Sequence, residues 1–258
     1  MSAQSIIEVD NLTIGYSADG ESTVLLQNVS FRVLRGEVFV ILGGSGSGKS
    51  TLLKHMIGLH QPLRGRIAID GDDIVTADAA ARRAIMRKFG VMYQMGALFG
   101  SMSTLENVRL PLEEFTEFDD DAIDLVARTK LYLVGLEAAA HRLPAELSGG
   151  MQKRAAIARA MALDPVILFL DEPSAGLDPI TSAGLDRLIL RLARTLEITF
   201  VVVSHELASI FAIADRVIML DAQTRGIIAT GTPEQLRDHS DNPWVHRFFN
   251  RVSEEATP

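Results

Sequence analysis

Val38-Phe39-Val40-Ile41-Leu42 runs directly into Gly43-Gly44-Ser45-Gly46-Ser47-Gly48-Lys49-Ser50-Thr51, and Leu52-Leu53-Lys54-His55-Met56-Ile57 follows. Five consecutive apolar residues have the length of a buried strand, and the run after the loop carries its apolar residues at helical spacing. Four glycines, three serines, a lysine and a threonine thus sit between a buried strand and the mouth of a helix. A flexible linker does not end in a lysine there; a phosphate cradle does. The stretch fits G-x-x-x-x-G-K-[ST] at Gly43, Gly48, Lys49 and Ser50. Glycines reach positive φ, so successive backbone N–H groups can turn inward on phosphate oxygens. The helix starting near Gly48 adds its positive end. Residues 43–51 are therefore expected to bind a nucleoside triphosphate, ATP foremost. Lys49 is expected on the β- and γ-phosphates, the Ser50 hydroxyl on Mg²⁺, and Thr51 on a further phosphate oxygen.

The rest of the chain supplies a frame for such a loop. Strand-like segments occur at Ile6–Val9, Val24–Leu26, Val29–Val33 and Arg66–Ile69, with a turn at Ser17-Ala18-Asp19-Gly20. Residues 76–88 turn helical, Gly90–Tyr93 is a short strand, and residues 95–163 are mainly helical. The acidic segment Leu112 to Asp124 reads as a solvated face. Beyond it strands and helices alternate: Val166–Leu170, a helix near 180–195, Ile198–Val203, a helix near 206–214, and Arg216–Asp221. That alternation implies a mostly parallel sheet covered by helices, as one compact unit with a helical insertion.

Several classes are excluded or weakened. The chain has no cysteine, hence no disulfide, thiolate metal site or cysteine nucleophile, which fits a reducing cytoplasm. A formal net charge of −8 argues against a general nucleic-acid binder. The start, MSAQSIIEVD, lacks the pattern of a signal peptide, and no run approaches the roughly 18 apolar residues of a membrane span. If the protein works at a membrane, another subunit crosses it. His55, His60, His141, His239 and His246 show no metal-ligand spacing and read as structural.

A phosphate cradle needs a carboxylate for its metal. Val166-Ile167-Leu168-Phe169-Leu170-Asp171-Glu172-Pro173 is an apolar run ending in two acids. Asp171 is expected to hold Mg²⁺ through water, and Glu172 to act as base or positioner for the attacking water. Kinases, GTPases, helicases and transport ATPases all remain open at this point. Leu147-Ser148-Gly149-Gly150-Met151-Gln152-Lys153-Arg154 narrows the choice. A serine and two glycines before an alanine-rich helix make a second anion-binding helix start, which makes sense if it serves another nucleotide across a dimer interface.

With these motifs in this order, about residues 5–235 resemble the ABC ATPase family. LSGGM-Q matches the signature LSGGQ with one departure, Met151. The resemblance implies an α/β P-loop NTPase of ABC type: a mostly parallel sheet, an N-terminal antiparallel β subdomain and a helical signature subdomain at about 95–163. The cassette would span 5–240, with a short amphipathic tail at 241–258. It implies that Tyr16 stacks on adenine, that the Q-loop Gln94 joins Ser50 and Asp171 at Mg²⁺, and that His205 contacts the γ-phosphate. It also implies that Ser148, Gly149, Gly150 and the D-loop Asp178 act in trans in an ATP-sandwich dimer. DNA-repair members carry coiled-coil or zinc insertions and translation-factor members two cassettes; neither pattern is present. A soluble ABC-type ATPase has no positive support.

Gln94-Met95-Gly96-Ala97-Leu98-Phe99, Met102-Ser103-Thr104-Leu105-Glu106-Asn107-Val108 and Gly176-Leu177-Asp178-Pro179-Ile180-Thr181 resemble the ATPases of bacterial Mla (MCE-associated) phospholipid transporters. That resemblance implies transmembrane permease subunits, an MCE-domain lipid-binding partner, a small STAS-domain protein, and a peripheral position on the cytoplasmic face of the inner membrane. Segment 94–102 is expected to border the surface where the permease docks. The alternative is an amino-acid importer ATPase of the methionine type, whose usual extra regulatory domain is not expected in a sequence that stops at Pro258. In the tail, Trp244, Val245, Phe248, Phe249 and Val252 form one apolar stripe behind Pro243. It is expected to fold onto its own cassette, with docking on a second chain or a small partner as the alternative.

Overall fold

The computed structural model describes residues 4–18 and 21–252. The chain divides into two compact units, residues up to Thr76 together with those from Val203 onward, and Ala77–Val202. The elements in chain order are β1 (Ser5–Ala18), β2 (Glu21–Leu34), β3 (Val38–Gly43), α1 (Lys49–Met56), β4 (Arg64–Ile69) and β5 (Asp72–Asp73); then α2 (Ala79–Met86), β6 (Phe89–Met92), α3 (Thr104–Phe115), α4 (Asp120–Leu133), α5 (Gly149–Ala160), β7 (Ile167–Asp171), α6 (Pro179–Leu196) and β8 (Thr199–Val203); and last α7 (Leu207–Ile213), β9 (Arg216–Asp221), β10 (Gly226–Gly231), α8 (Pro233–His239) and α9 (Pro243–Asn250).

In the first unit, β2-β1-β4-β5 form an antiparallel sheet. The two segments read separately at 24–26 and 29–33 are one strand. Its register against β1 slips between the pairs Leu12↔Val29 and Ile14↔Leu26, where Asn28 takes a left-handed φ of 54°. A bulge of this kind breaks the period-two pattern that a sequence reading follows. Asp19 and Gly20 of the expected turn lie outside the described residues. Strand β3 is buried along its whole length and pairs in parallel with β9 from Phe39↔Arg216 to Gly43↔Leu220. Strand β10, absent from the sequence reading, pairs antiparallel with β9. The short α8 was also missed, although Thr232 and Gln235 close a reciprocal capping box at its start.

In the second unit β6 and β7 pair in parallel from Phe89↔Ile167 to Met92↔Leu170, and Phe89 and Phe169 meet edge to face at 5.4 Å. The helical stretch expected at 95–163 holds α3, α4 and α5. The acidic segment there is not simply solvated. Arg109, 15% exposed at its side chain, binds Glu113 at 2.9 Å, Asp124 at 3.2 Å and also Asp120, and these bonds hold the guanidinium firmly protonated. Three acids from two helices thus converge on one arginine and tie α3 to α4.

Candidate functional site

The cradle is built in the first unit. A Cβ on Gly43 would meet Leu220 O at 2.4 Å and Ser47 Oγ at 2.6 Å, so a side chain there is excluded by the neighbouring strand β9. Gly48 sits at φ 93° as the N-cap of α1 and contributes no side-chain cap. The first turn of α1 therefore keeps its positive end for a ligand. The Ser47 hydroxyl is buried with no hydrogen-bond partner among the described residues, which is costly unless something arrives to accept or donate. Lys49 Nζ donates to Gly43 O at 2.8 Å and Gly44 O at 2.9 Å, folding its charge back over the loop. A helix start without a side-chain cap, a buried hydroxyl without a partner among the described residues and a lysine folded over the loop suit a phosphate chain.

Tyr16, 57% exposed, reaches Thr51 Oγ1 with its hydroxyl at 3.2 Å. The Thr51 hydroxyl, expected on a phosphate, thus has Tyr16 as its neighbour. His205 is exposed just past β8; the preceding Ser204 anchors the loop by donating its N–H to Ile41 O of β3 at 3.3 Å. Trp244 of α9 lies beside the loop, with ring atoms 3.6 and 3.8 Å from where a Cβ on Gly44 would stand. The sequence shows an apolar stripe there but not where it lands.

The acids are built in the second unit. Asp171 ends β7 and Glu172 follows it, 7% and 8% exposed respectively. Glu172 holds φ 49°, a left-handed conformation that a non-glycine residue adopts under strain. Its carbonyl accepts from Ala175 N at 3.2 Å, which fixes the tight turn into 173–178. Gln94 is exposed, just past β6, and its backbone carbonyl accepts from Lys153 Nζ. Burial lowers the Lys153 pKa, while Glu172 and then Asp171 pull the other way. Lys153 is the residue that sequence reasoning missed: it was quoted only as part of a motif, and nothing local marks it as buried.

Ser148 is the N-cap of α5, its hydroxyl accepting from Met151 N at 3.3 Å. Asp178 is the N-cap of α6 and accepts from Ile180 N and Thr181 N, both at 3.0 Å. Its hydrogen bonds, the Thr181 side chain first, hold its carboxyl below the usual range. Gly149 and Gly150 lie against residues of the D-loop and of α6, Leu177 and Thr181, so signature and D-loop form one cluster.

The strand–cradle–helix unit and the acidic strand end define a P-loop nucleotide-binding cassette with an antiparallel β sheet and a helical signature region. The chain belongs to the ABC transporter family, whose model matches residues 26–175. It is 40% identical over 238 residues to "Intermembrane phospholipid transport system ATP-binding protein MlaF" of Haemophilus influenzae, covering 92% of this chain and 88% of that one. It is 40% identical over 244 residues to "Probable ribonucleotide transport ATP-binding protein mkl" of Mycobacterium tuberculosis, covering 95% of this chain; it spans 66% of the length of that relative. Among solved structures it is similar, with a TM-score of 0.79 and 32% identity over 88% of this chain and 98% of the other, to the dimeric post-hydrolysis state of the ATP-binding cassette MJ0796 bound to ADP and Pi.

Proposed function

We propose that this chain is the ATP-binding and hydrolysing subunit of a membrane ABC transporter that moves phospholipid between bacterial membranes. The observation that carries the ATPase reading is the cradle at 43–51, with its uncapped helix start and orphan Ser47 hydroxyl, in a chain that also ends a buried strand in Asp171-Glu172. In this reading Gly43 to Thr51 wrap the phosphates and Lys49 moves from its two loop carbonyls onto the β- and γ-phosphates. Tyr16 stacks on the adenine and His205 contacts the γ-phosphate. Glu172 takes a proton from the attacking water as its oxygen bonds to the γ-phosphorus and the bond to ADP breaks, leaving ADP and inorganic phosphate. The donors of Ser50, Gln94 and Asp171 are all oxygens, the set that suits Mg²⁺; when bound, the ion neutralises charge on the phosphates. Two copies close on two nucleotides, with Ser148, Gly149, Gly150 and Asp178 of one serving the other.

Among the described residues no helix is long and apolar enough to cross a membrane, so the path for the cargo belongs to permease subunits. Their docking place is the groove of about 500 Å³ beside the Q-loop, lined by Tyr93, Ala97, Phe99, Pro111 and Phe115 with Arg159 among its polar groups. An MCE-domain lipid-binding protein and a small STAS-domain protein are further partners, and this chain sits peripherally on the cytoplasmic face of the inner membrane. The phospholipid reading rests on the likeness to the MlaF relatives. The mycobacterial relatives are named for ribonucleotides instead. Purification of the native complex from its membrane, with identification of its subunits and bound small molecules, separates the two. A permease with an MCE-domain protein and phospholipid is expected; a complex without lipid, or no membrane partner, overturns the proposal.

A further inference from the structure

Segment 94–99 leaves β6 and has no regular structure of its own, yet three side chains fasten it. Lys153 of α5, 8% exposed, donates to Gln94 O. Two turns further along the same helix, Arg159 spreads its fork over successive carbonyls, Nη2 to Gly96 O at 3.1 Å and Nη1 to Ala97 O at 2.7 Å. Its guanidinium also lies 5.9 Å from the centre of the Phe99 ring. From α3, buried Asn107 donates to the carbonyls of Phe99, Met102 and Ser103 and accepts from Phe99 N at 2.8 Å. Ala97 sits at φ 50°, a conformation it keeps only where surrounding bonds hold it.

The partners differ in what they touch. Asn107 ties the loop to α3. Lys153 ties it to the helix that Ser148 caps, and the charges of Glu172 and Asp171 act to keep Lys153 protonated. A buried ammonium needs such partners, because unpaired it is among the most expensive groups to bury. One side chain therefore links the signature helix to the Q-loop backbone, and its charge feels the acidic end of β7.

We infer that Lys153 is a positioning residue for ATP hydrolysis, holding the Q-loop in register with the signature helix, while Arg159 locks the following turn of the loop to the same helix. The inference rests on the proposed ATPase reading. Pressure on Ala97 or Phe99 then reaches Ser148 through α5 as one rigid piece. Lys153 needs no contact with nucleotide for this.

Lys153→Met, Lys153→Gln and Lys153→Arg in the full chain test the inference, with Glu172→Gln alongside. Lys153→Met and Lys153→Gln are expected to lower kcat by about 100-fold with KM for ATP moving less than about threefold, since displaced catalytic groups cost turnover more than binding. Lys153→Arg is expected to stay within about threefold of the parent because it keeps a cation at the same place. Amide exchange over 95–99 is expected to rise in Lys153→Met and Lys153→Gln and not in Lys153→Arg. Parent-like kcat in Lys153→Gln, or parent-like exchange at 95–99, overturns the inference, as does an arginine variant as impaired as the methionine one. A parent chain that does not hydrolyse ATP, or a Glu172→Gln chain that does so freely, counts against the ATPase reading instead; the exchange measurement still decides the role of Lys153 in holding the loop.

Discussion

Gly150 and Thr181 are so close that a Cβ on Gly150 would stand 2.4 Å from Thr181 Cγ2. The signature glycine is thus required by packing between the starts of α5 and α6, apart from any nucleotide it serves. Swinging Thr181 aside would break the bond its hydroxyl makes to the Asp178 carboxylate. Gly150→Ala is expected to lose about 1–3 kcal/mol of stability by overpacking, read by denaturant unfolding. Thr181→Ser removes the methyl and keeps the hydroxyl, so the double variant should recover most of that loss. If it recovers stability and still fails to form an ATP-driven dimer, the signature has a second role; recovery of both makes Gly150 a packing residue alone.

Glu172→Gln should bind ATP with undiminished affinity and accumulate as a closed ATP-bound dimer, because the amide keeps the shape and cannot take the proton. Rapid turnover by this variant removes the role assigned to Glu172. The strained φ makes a separate prediction. At a left-handed position glycine is favoured over alanine by about 1 kcal/mol, so Glu172→Gly should melt higher than Glu172→Ala, reversing the usual order.

Ser148 and Lys49 should complement each other between chains. In a mixed dimer of one Ser148→Arg chain and one Lys49→Ala chain, action in trans places both defects on one nucleotide and leaves the other site whole. ATP should then hold the mixed dimer together while Ser148→Arg homodimers fall apart. Equal failure of the two speaks for action in cis.

His55 makes the fold acid-sensitive. Its Nδ1 donates to Thr51 O at 2.8 Å, and its Nε2 is buried with no well-formed hydrogen bond among the described residues. Burial pushes its pKa below the ordinary 6.5, and nearby His60 adds to the shift. Below pH 6.5 the unfolded chain takes up a proton that the folded chain refuses. Stability therefore falls as pH drops from there, at a slope from this one group of no more than about 1.4 kcal/mol per pH unit, until the folded-state pKa is passed. His55→Asn should flatten that acid limb in urea melts taken between pH 7 and 5; an unchanged slope places the sensitivity elsewhere.

Deletion from Asn242 onward should lower the melting temperature of the isolated chain. Val245 and Phe249 of α9 are 0% and 3% exposed, and Phe249 meets Phe211 edge to face at 5.9 Å. Phe249→Ala alone should cost about 3 kcal/mol or more. The stripe does not act as one face: Val252 is 55% exposed. A truncated chain that melts like the parent contradicts the packing described.

The sequence made the cradle and the acids legible because their chemistry is written in consecutive residues, Gly43 to Ser50 and Leu170 to Glu172. The parallel strands were legible as apolar runs. What escaped depends on partners distant in sequence. Lys153 looks like one more cation on a helix until Gln94, 59 positions earlier, is brought to it. Asn28 hid the continuity of β2 because a bulge shifts the pattern by one residue. Strand β10 was hidden because its residues are only half-buried, so Gly226–Gly231 lacks the apolar run by which the other strands were found. Met102–Val108, quoted for its resemblance, proved to carry local structure of its own. Ser103 and Glu106 close a capping box, and Asn107 ties down the loop before it.

The ring beside Gly44 belongs to the only tryptophan in the chain. Indole emission depends on the polarity and charge around the ring, so the chain carries its own optical gauge at the mouth of the cradle. A phosphate entering there changes the field and hydration felt by Trp244. On the proposed reading, nucleotide occupancy should therefore be measurable in the unlabelled protein, with no competing signal of the same kind from elsewhere in the sequence.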